Sequence, residues 1–255
     1  MLFFRLYFKK GNAYMTKTSD ELVIKKLKRL KLLEYIDDLN LWISSLNDVQ
    51  INNILSLNNK LVRSLKENKK ILVNLDFLNS SYYIEDIHII GSTISKINIS
   101  YLINLSTNNS SLNSKYHISD MNIIKDALYN NCNCLLRVAT NIYSLNSAYH
   151  TEDMNLIKDE DNIYKAINLC VLATFKPSLD SKNHISDMNL VKNAKSTLKS
   201  SNLCFIATNE TSIKSKYHNV HMDLVNEISD EKIEDIKTLL NYKDDEKNNG
   251  RKIKL

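Results

Sequence analysis

The chain has 255 residues, 43% of them hydrophobic and 25% charged, a balance that excludes wholesale disorder and suits a folded protein. Three glycines and one proline disfavour strand-rich folds with tight hairpins, which need residues at positive φ, and favour helices joined by Asn- and Ser-based turns. A net charge of +5 falls short of the concentrated basic face that duplex binding needs, so nucleic acid is permitted as a partner but not favoured.

Residues 1–18 are expected to be a flexible extension. Met1 to Phe8 is apolar but too short to span a membrane, and it lacks the basic lead and small-residue cleavage site of a signal peptide. Met15 is followed by Thr-Lys-Thr-Ser-Asp-Glu, a good helix start and an alternative beginning for the protein. No segment reaches eighteen uninterrupted apolar residues, so no transmembrane segment and a cytoplasmic location are expected. Residues 19–81 then read as a helical N-terminal region. Leu22, Ile24, Leu27, Leu30 and Leu33 mark a lysine-rich helix behind Ser19-Asp20-Glu21, and Asn47-Asp48 opens another through Ile51, Ile54 and Leu55. The run Lys25-Lys26-Leu27-Lys28-Arg29-Leu30-Lys31 is its densest basic stretch, read as the solvated face of an amphipathic helix.

From Tyr82 the sequence repeats. Tyr116-His117-Ile118-Ser119-Asp120-Met121 returns as Tyr149-His150-Thr151-Glu152-Asp153-Met154, as Asn183-His184-Ile185-Ser186-Asp187-Met188 and as Tyr217-His218-Asn219-Val220-His221-Met222. The four histidines lie 33, 34 and 34 positions apart, and Tyr82-Tyr83-Ile84-Glu85-Asp86-Ile87 is a weakened first copy. Leu135 to Thr140, Leu169 to Thr174 and Leu203 to Thr208 repeat in the same register. Met121, Ile124 and Leu128 give each unit a first helix with one apolar stripe, and Leu135, Val138 and Ala139 a shorter second helix. Ser-Leu-x-Ser connects the units (Ser144-Leu145-Asn146-Ser147, for example), its second Ser expected as N-cap with histidine at the third helical position. A single hairpin cannot bury its stripe, so neighbours must stack. The fold class expected is therefore all-α: an α-solenoid of about five 33–34-residue helical hairpins over 82–242, preceded by the helical region 19–81. Ser229-Asp230-Glu231 opens a terminal helix through Ile233, Ile236 and Leu240, and 243–255 reads as a disordered charged tail.

By period and helix–turn–helix layout, residues 82–242 resemble the α-solenoid repeat families. Tetratricopeptide repeats share the 34-residue length, but their Trp, Gly, Tyr and Pro positions are absent here. Ankyrin repeats open with Thr-Pro-Leu-His, and Ser114-Lys115-Tyr116-His117 looks like a similar cap, without ankyrin's Gly-rich turn. The sequence matches neither consensus. What the resemblance implies is a class whose members mostly bind other proteins.

His-x-x-Asp recurs as His117 with Asp120, His150 with Asp153 and His184 with Asp187, and could serve a metal or acid–base site. Catalytic groups are normally unique, whereas a residue present in every hairpin belongs to the way hairpins stack. The ladder of His117, His150, His184, His218, Asp120, Asp153 and Asp187 is therefore expected to be structural, a recurring helix-start bond. Cys132, Cys134, Cys170 and Cys204 form no CxxC pair and read as small core residues. No Gly-rich phosphate loop or nucleophile elbow occurs, so neither enzyme activity nor a cofactor or metal is expected. The function expected is a non-enzymatic scaffold or adaptor for a protein partner, the alternative an RNA-binding helical repeat. Lys125, Lys158 and Lys192, at one repeat position, are the candidate interaction face and favour an acidic partner.

Overall fold

The computed structural model describes residues 13–230, with side chains from residue 19. Among these residues the protein is all-α, with eighteen α-helices, three short 3-10 turns and no strand. Residues 1–12, the body of the expected terminal helix and the expected tail 243–255 lie outside the described residues. The chain divides between Asn113 and Ser114 into two compact units.

The first unit contains α1 (Ala13–Leu30), α2 (Leu39–Ser44), α3 (Asp48–Ser56), α4 (Asn59–Ser64), α5 (Leu75–Asn79), α6 (Tyr83–Ser92), α7 (Lys96–Ser106) and α8 (Asn109–Leu112). The abundance of Asn has a local cause. Asn47, Asn58, Asn74 and Asn108, with Asp38 and Ser95, each cap a helix by accepting a backbone N–H of its first turn, so the chain turns without glycine. Helix α1 packs on α3 and buries Val23, Leu27 and Leu30, spaced i, i+4 and i+7. Leu22, expected in that stripe, is exposed instead, because the buried arc is centred one residue later. Helix α6 crosses α4 where Gly91 faces Ser64. A Cβ on Gly91 would lie 2.6 Å from the Ser64 Cβ, so only glycine permits this approach.

In the second unit a succession of a first helix, a second helix and a four-residue helix recurs. Its first period consists of α9 (His117–Asp126), α10 (Cys132–Thr140) and the four-residue α11 (Ile142–Leu145). The next two are α12 (His150–Lys158), α13 (Ile163–Thr174) and α14 (Lys176–Leu179), then α15 (His184–Asn193), α16 (Thr197–Thr208) and α17 (Glu210–Ile213), followed by α18 (His218–Glu227). First helices touch in series, α9 to α12 to α15 to α18, and second helices likewise, α10 to α13 to α16. Met121, Met154, Met188 and Met222 are fully buried between them, as are Ala139, Ala173 and Ala207. An alanine lets two helix axes approach where a larger side chain would hold them apart. Two expectations need correction. Helices α13 and α16 run 12 residues each, longer than the first helices they follow. Leu128 is exposed, since α9 ends at Asp126 and the buried Ala127 takes the place the stripe assigned to it.

Candidate functional site

The residues that look most chemical meet between consecutive hairpins. His150, the first residue of α12, directs Nε2 to the Asp120 carboxylate of the preceding hairpin at 3.0 and 3.1 Å, and Nδ1 to the Ser144 hydroxyl at 2.8 Å. His184 repeats this with Asp153 at 3.0 and 3.1 Å and Ser178 at 3.0 Å. His218 does so with Asp187 at 3.0 Å and Ser212 at 3.1 Å. The ladder is thus joined across hairpins, and the pairing expected within each His-x-x-Asp segment is not the one formed. Along the helix those two side chains belong to one turn, yet each turns to the neighbouring hairpin. The serine engaged is also the first of Ser-Leu-x-Ser. The second serine, exemplified by Ser147, accepts instead from the backbone N–H two residues on, which makes histidine the first helical residue and not the third.

The groups at His150 and His184 are sealed, while Ser212 of the third is half-buried. His117, His150 and His184 have no exposed surface, and Asp153 and Ser144 likewise have none. The Tyr116 ring packs against His150 at 4.6 Å between centroids, and Tyr149 against His184 at 5.1 Å. Burial raises the carboxyls of Asp120, Asp153 and Asp187 above the ordinary aspartate value, the histidine bonds offsetting part of the rise. An ionised carboxylate accepts the proton of Nε2, which leaves Nδ1 of the neutral ring to accept the serine O–H. The connectivity is the reverse of a serine nucleophile's, in which Nε2 faces the hydroxyl and Nδ1 the carboxylate. The Ser144 and Ser178 hydroxyls are held inside these joints, away from solvent. Asp187 differs in that its Oδ1 has no hydrogen-bond partner, and at the next repeat position an exposed His221 replaces aspartate.

Sequence reading missed a second ladder, at the other end of the first helices. Asn131, Lys165 and Lys199, each 34 positions apart, reach forward to the last turn of the next hairpin's first helix. Asn131 Nδ2 donates to the Ile157 carbonyl at 3.1 Å, Lys165 Nζ to Lys192 at 3.3 Å and Lys199 Nζ to Asn226 at 2.9 Å. A cation there suits the negative end of the helix dipole and satisfies a carbonyl that the helix leaves open. The recurrence at 34 residues was the available signal. Lys158 and Lys192 sit in the last turns of α12 and α15 that this ladder reaches, Lys125 in the last turn of α9, and all three are half-buried.

All four cysteines are free and buried. Burial pushes the thiol of Cys132 up to about 11 and that of Cys204 up to about 12. The Cys170 Sγ donates to the Cys134 carbonyl at 3.4 Å and the Cys204 Sγ to Asn168 at 3.3 Å, again one hairpin to the next. Among the described residues no group of three or more His, Cys, Asp or Glu side chains is arranged to hold a metal, and no helix is long and apolar enough to cross a membrane. No family model, curated protein or solved structure matches the chain.

Proposed function

We propose that the 33–34-residue hairpins stack as an α-solenoid and that the protein is a non-enzymatic scaffold or adaptor binding a protein partner. One observation carries this reading: the Ser–His–Asp groups at His150, His184 and His218 each bond one hairpin to the next. The chemistry that suggested an active site is thereby accounted for as architecture, and what repeats on the outside is surface. Stacked hairpins place equivalent side chains side by side, so a short row of lysines becomes a ladder. Lys125, Lys158 and Lys192 form the candidate row. All three are half-buried, and a row of like positive charges favours an acidic segment of the partner. RNA is the weaker reading, because the Asn122 and Asn189 amides donate to the carbonyls of Ile118 and Ile185 in their own helices instead of standing ready to read bases.

The test is a pull-down from cells with bound protein scored by mass spectrometry and bound nucleic acid by sequencing, using the natural chain and a Lys125→Glu, Lys158→Glu, Lys192→Glu variant. A protein partner whose binding weakens with salt and with charge reversal supports the reading. Recovery of RNA, or unchanged protein binding by the variant, overturns the assignment of this face.

A further inference from the structure

The first unit carries a groove of about 810 Å³ that the repeat does not account for. It is framed by the segment before α2, by α2 itself, by the turn entering α5 and by one side of α7. Its floor is apolar, from the buried Ile71 and Val73 and the half-buried Ile103, and the half-buried Trp42 also lines it. The Trp42 Nε1–H donates to the Val73 carbonyl at 3.2 Å, and Gln50 Nε2 donates to the Leu75 carbonyl at 2.9 Å. Both bonds fix the groove before anything binds. Leu41, 68% exposed, and Leu75, 36% exposed, stand at its edges as large apolar side chains facing water.

The rim has a definite charge. Asp37, Asp38 and Asp76 line it against one lysine, Lys70, so a chain with net charge +5 presents here a local surplus of carboxylates. Asp38 is occupied in capping α2. Asp37 and Asp76 are exposed on that rim and make no bond to the helix caps. An apolar floor, two exposed leucines and an aromatic ring are what an amphipathic segment buries, and a carboxylate rim selects the sign of the charges flanking it.

We propose that this groove is a docking surface for a basic amphipathic segment of a partner protein, with the partner's apolar side chains seated on Trp42, Leu41 and Leu75 and its lysines or arginines facing Asp37 and Asp76. The surface stands on the first unit alone and is independent of the lysine row, which favours a partner segment of opposite charge. A cation near the indole gains further attraction from the ring face.

Trp42 is the single tryptophan of the chain, so its fluorescence reports on this groove without labelling. The full chain is titrated with a synthetic Leu/Lys amphipathic peptide and with its Leu/Glu counterpart. The expected result is a saturable change in Trp42 emission for the Leu/Lys peptide only, weakened by raised salt. Asp37→Asn with Asp76→Asn should lower the affinity about tenfold, and Leu41→Ala by several-fold. All three positions are exposed, and unchanged circular dichroism confirms that each variant folds. No saturable response, an equal response to the Leu/Glu peptide, or full affinity in the double Asp variant overturns the proposal. So does an emission change that tracks protein concentration with no peptide added, which would seat a second copy in the groove.

Discussion

The same joint is built twice in this molecule, from different chemistry. In the second unit a serine and a histidine six residues apart meet at the start of each first helix, as Ser144 with His150 and Ser178 with His184, and the histidine reaches back to a buried aspartate. In the first unit the same two positions hold Phe77 and Tyr83, also six residues apart and also at a helix start. Their rings pack at 4.7 Å, and both side chains have no exposed surface. Tyr83 sends its hydroxyl to the Leu72 carbonyl at 3.1 Å instead of to a carboxylate. The weakened first copy is thus a rebuilt joint: where no preceding repeat supplies an aspartate, aromatic burial does the work of the relay. A polar network is stable in a core only when every member is satisfied, and an apolar replacement of similar shape is an equally valid solution.

The largest expected effect comes from breaking one relay halfway. His184→Ala leaves the Asp153 carboxylate and the Ser178 hydroxyl buried without their partner, and removing one member of a buried pair costs about 3–5 kcal/mol. Urea unfolding followed by circular dichroism measures it. A loss under about 1 kcal/mol would mean that the relay contributes little beyond filling space. Replacing the whole group is the sharper experiment. Asp153→Leu, His184→Phe and Ser178→Ala together should return stability to within about 1–2 kcal/mol of the natural chain, because no orphaned polar atom remains. A triple variant as unstable as the single one would break the equivalence of the two joints.

The two joints should also differ in their response to acid. Burial holds the Asp153 carboxyl above the ordinary aspartate value, more than the His184 bond lowers it. Between the ordinary and the raised value the folded chain keeps a proton that the unfolded chain has released. The contribution of this carboxyl to stability therefore grows as pH falls through that window and declines as pH rises through it. Asp153→Asn does not titrate. The stability difference between natural chain and variant should accordingly move in favour of the natural chain as pH falls from neutral toward the ordinary aspartate value of about 4. Urea midpoints at a series of pH values test the sign, and movement the other way would refute it. The aromatic joint is silent in this range, since burial raises the Tyr83 hydroxyl further above its already high ordinary value.

Periodicity made the helical character legible, because a position that recurs every 33–34 residues reports its environment several times over. Partners were less legible. His150 and Asp120 are 30 residues apart, and nothing local distinguishes that pairing from the one with Asp153 three residues on; only the stacking of α12 on α9 decides it. Lys165 and Lys199 escaped notice for a related reason: lysine on a helix reads as solvated, and its use on a neighbouring helix end appears only once the hairpins touch. Exposure at the ends of helices was the least legible, as Leu128 shows, because the position where α9 stops decides whether a side chain continues the stripe. The groove in the first unit left no periodic trace at all, being assembled from segments around residues 35–45, 70–76 and 103–107.

The smallest effect tests how far the aromatic joint relies on its one polar contact. Tyr83→Phe keeps the ring against Phe77 and removes only the hydroxyl that donates to the Leu72 carbonyl. A single hydrogen bond contributes about 1 kcal/mol net, far below the burial of the ring itself, which Phe-to-Ala substitutions in cores place at about 3–5 kcal/mol. Thermal unfolding should therefore show a modest drop for Tyr83→Phe and a large one for Phe77→Ala. If the two were equal, the hydroxyl and not the ring would hold the first copy together, and its joint would resemble the polar relays more closely than its residues suggest.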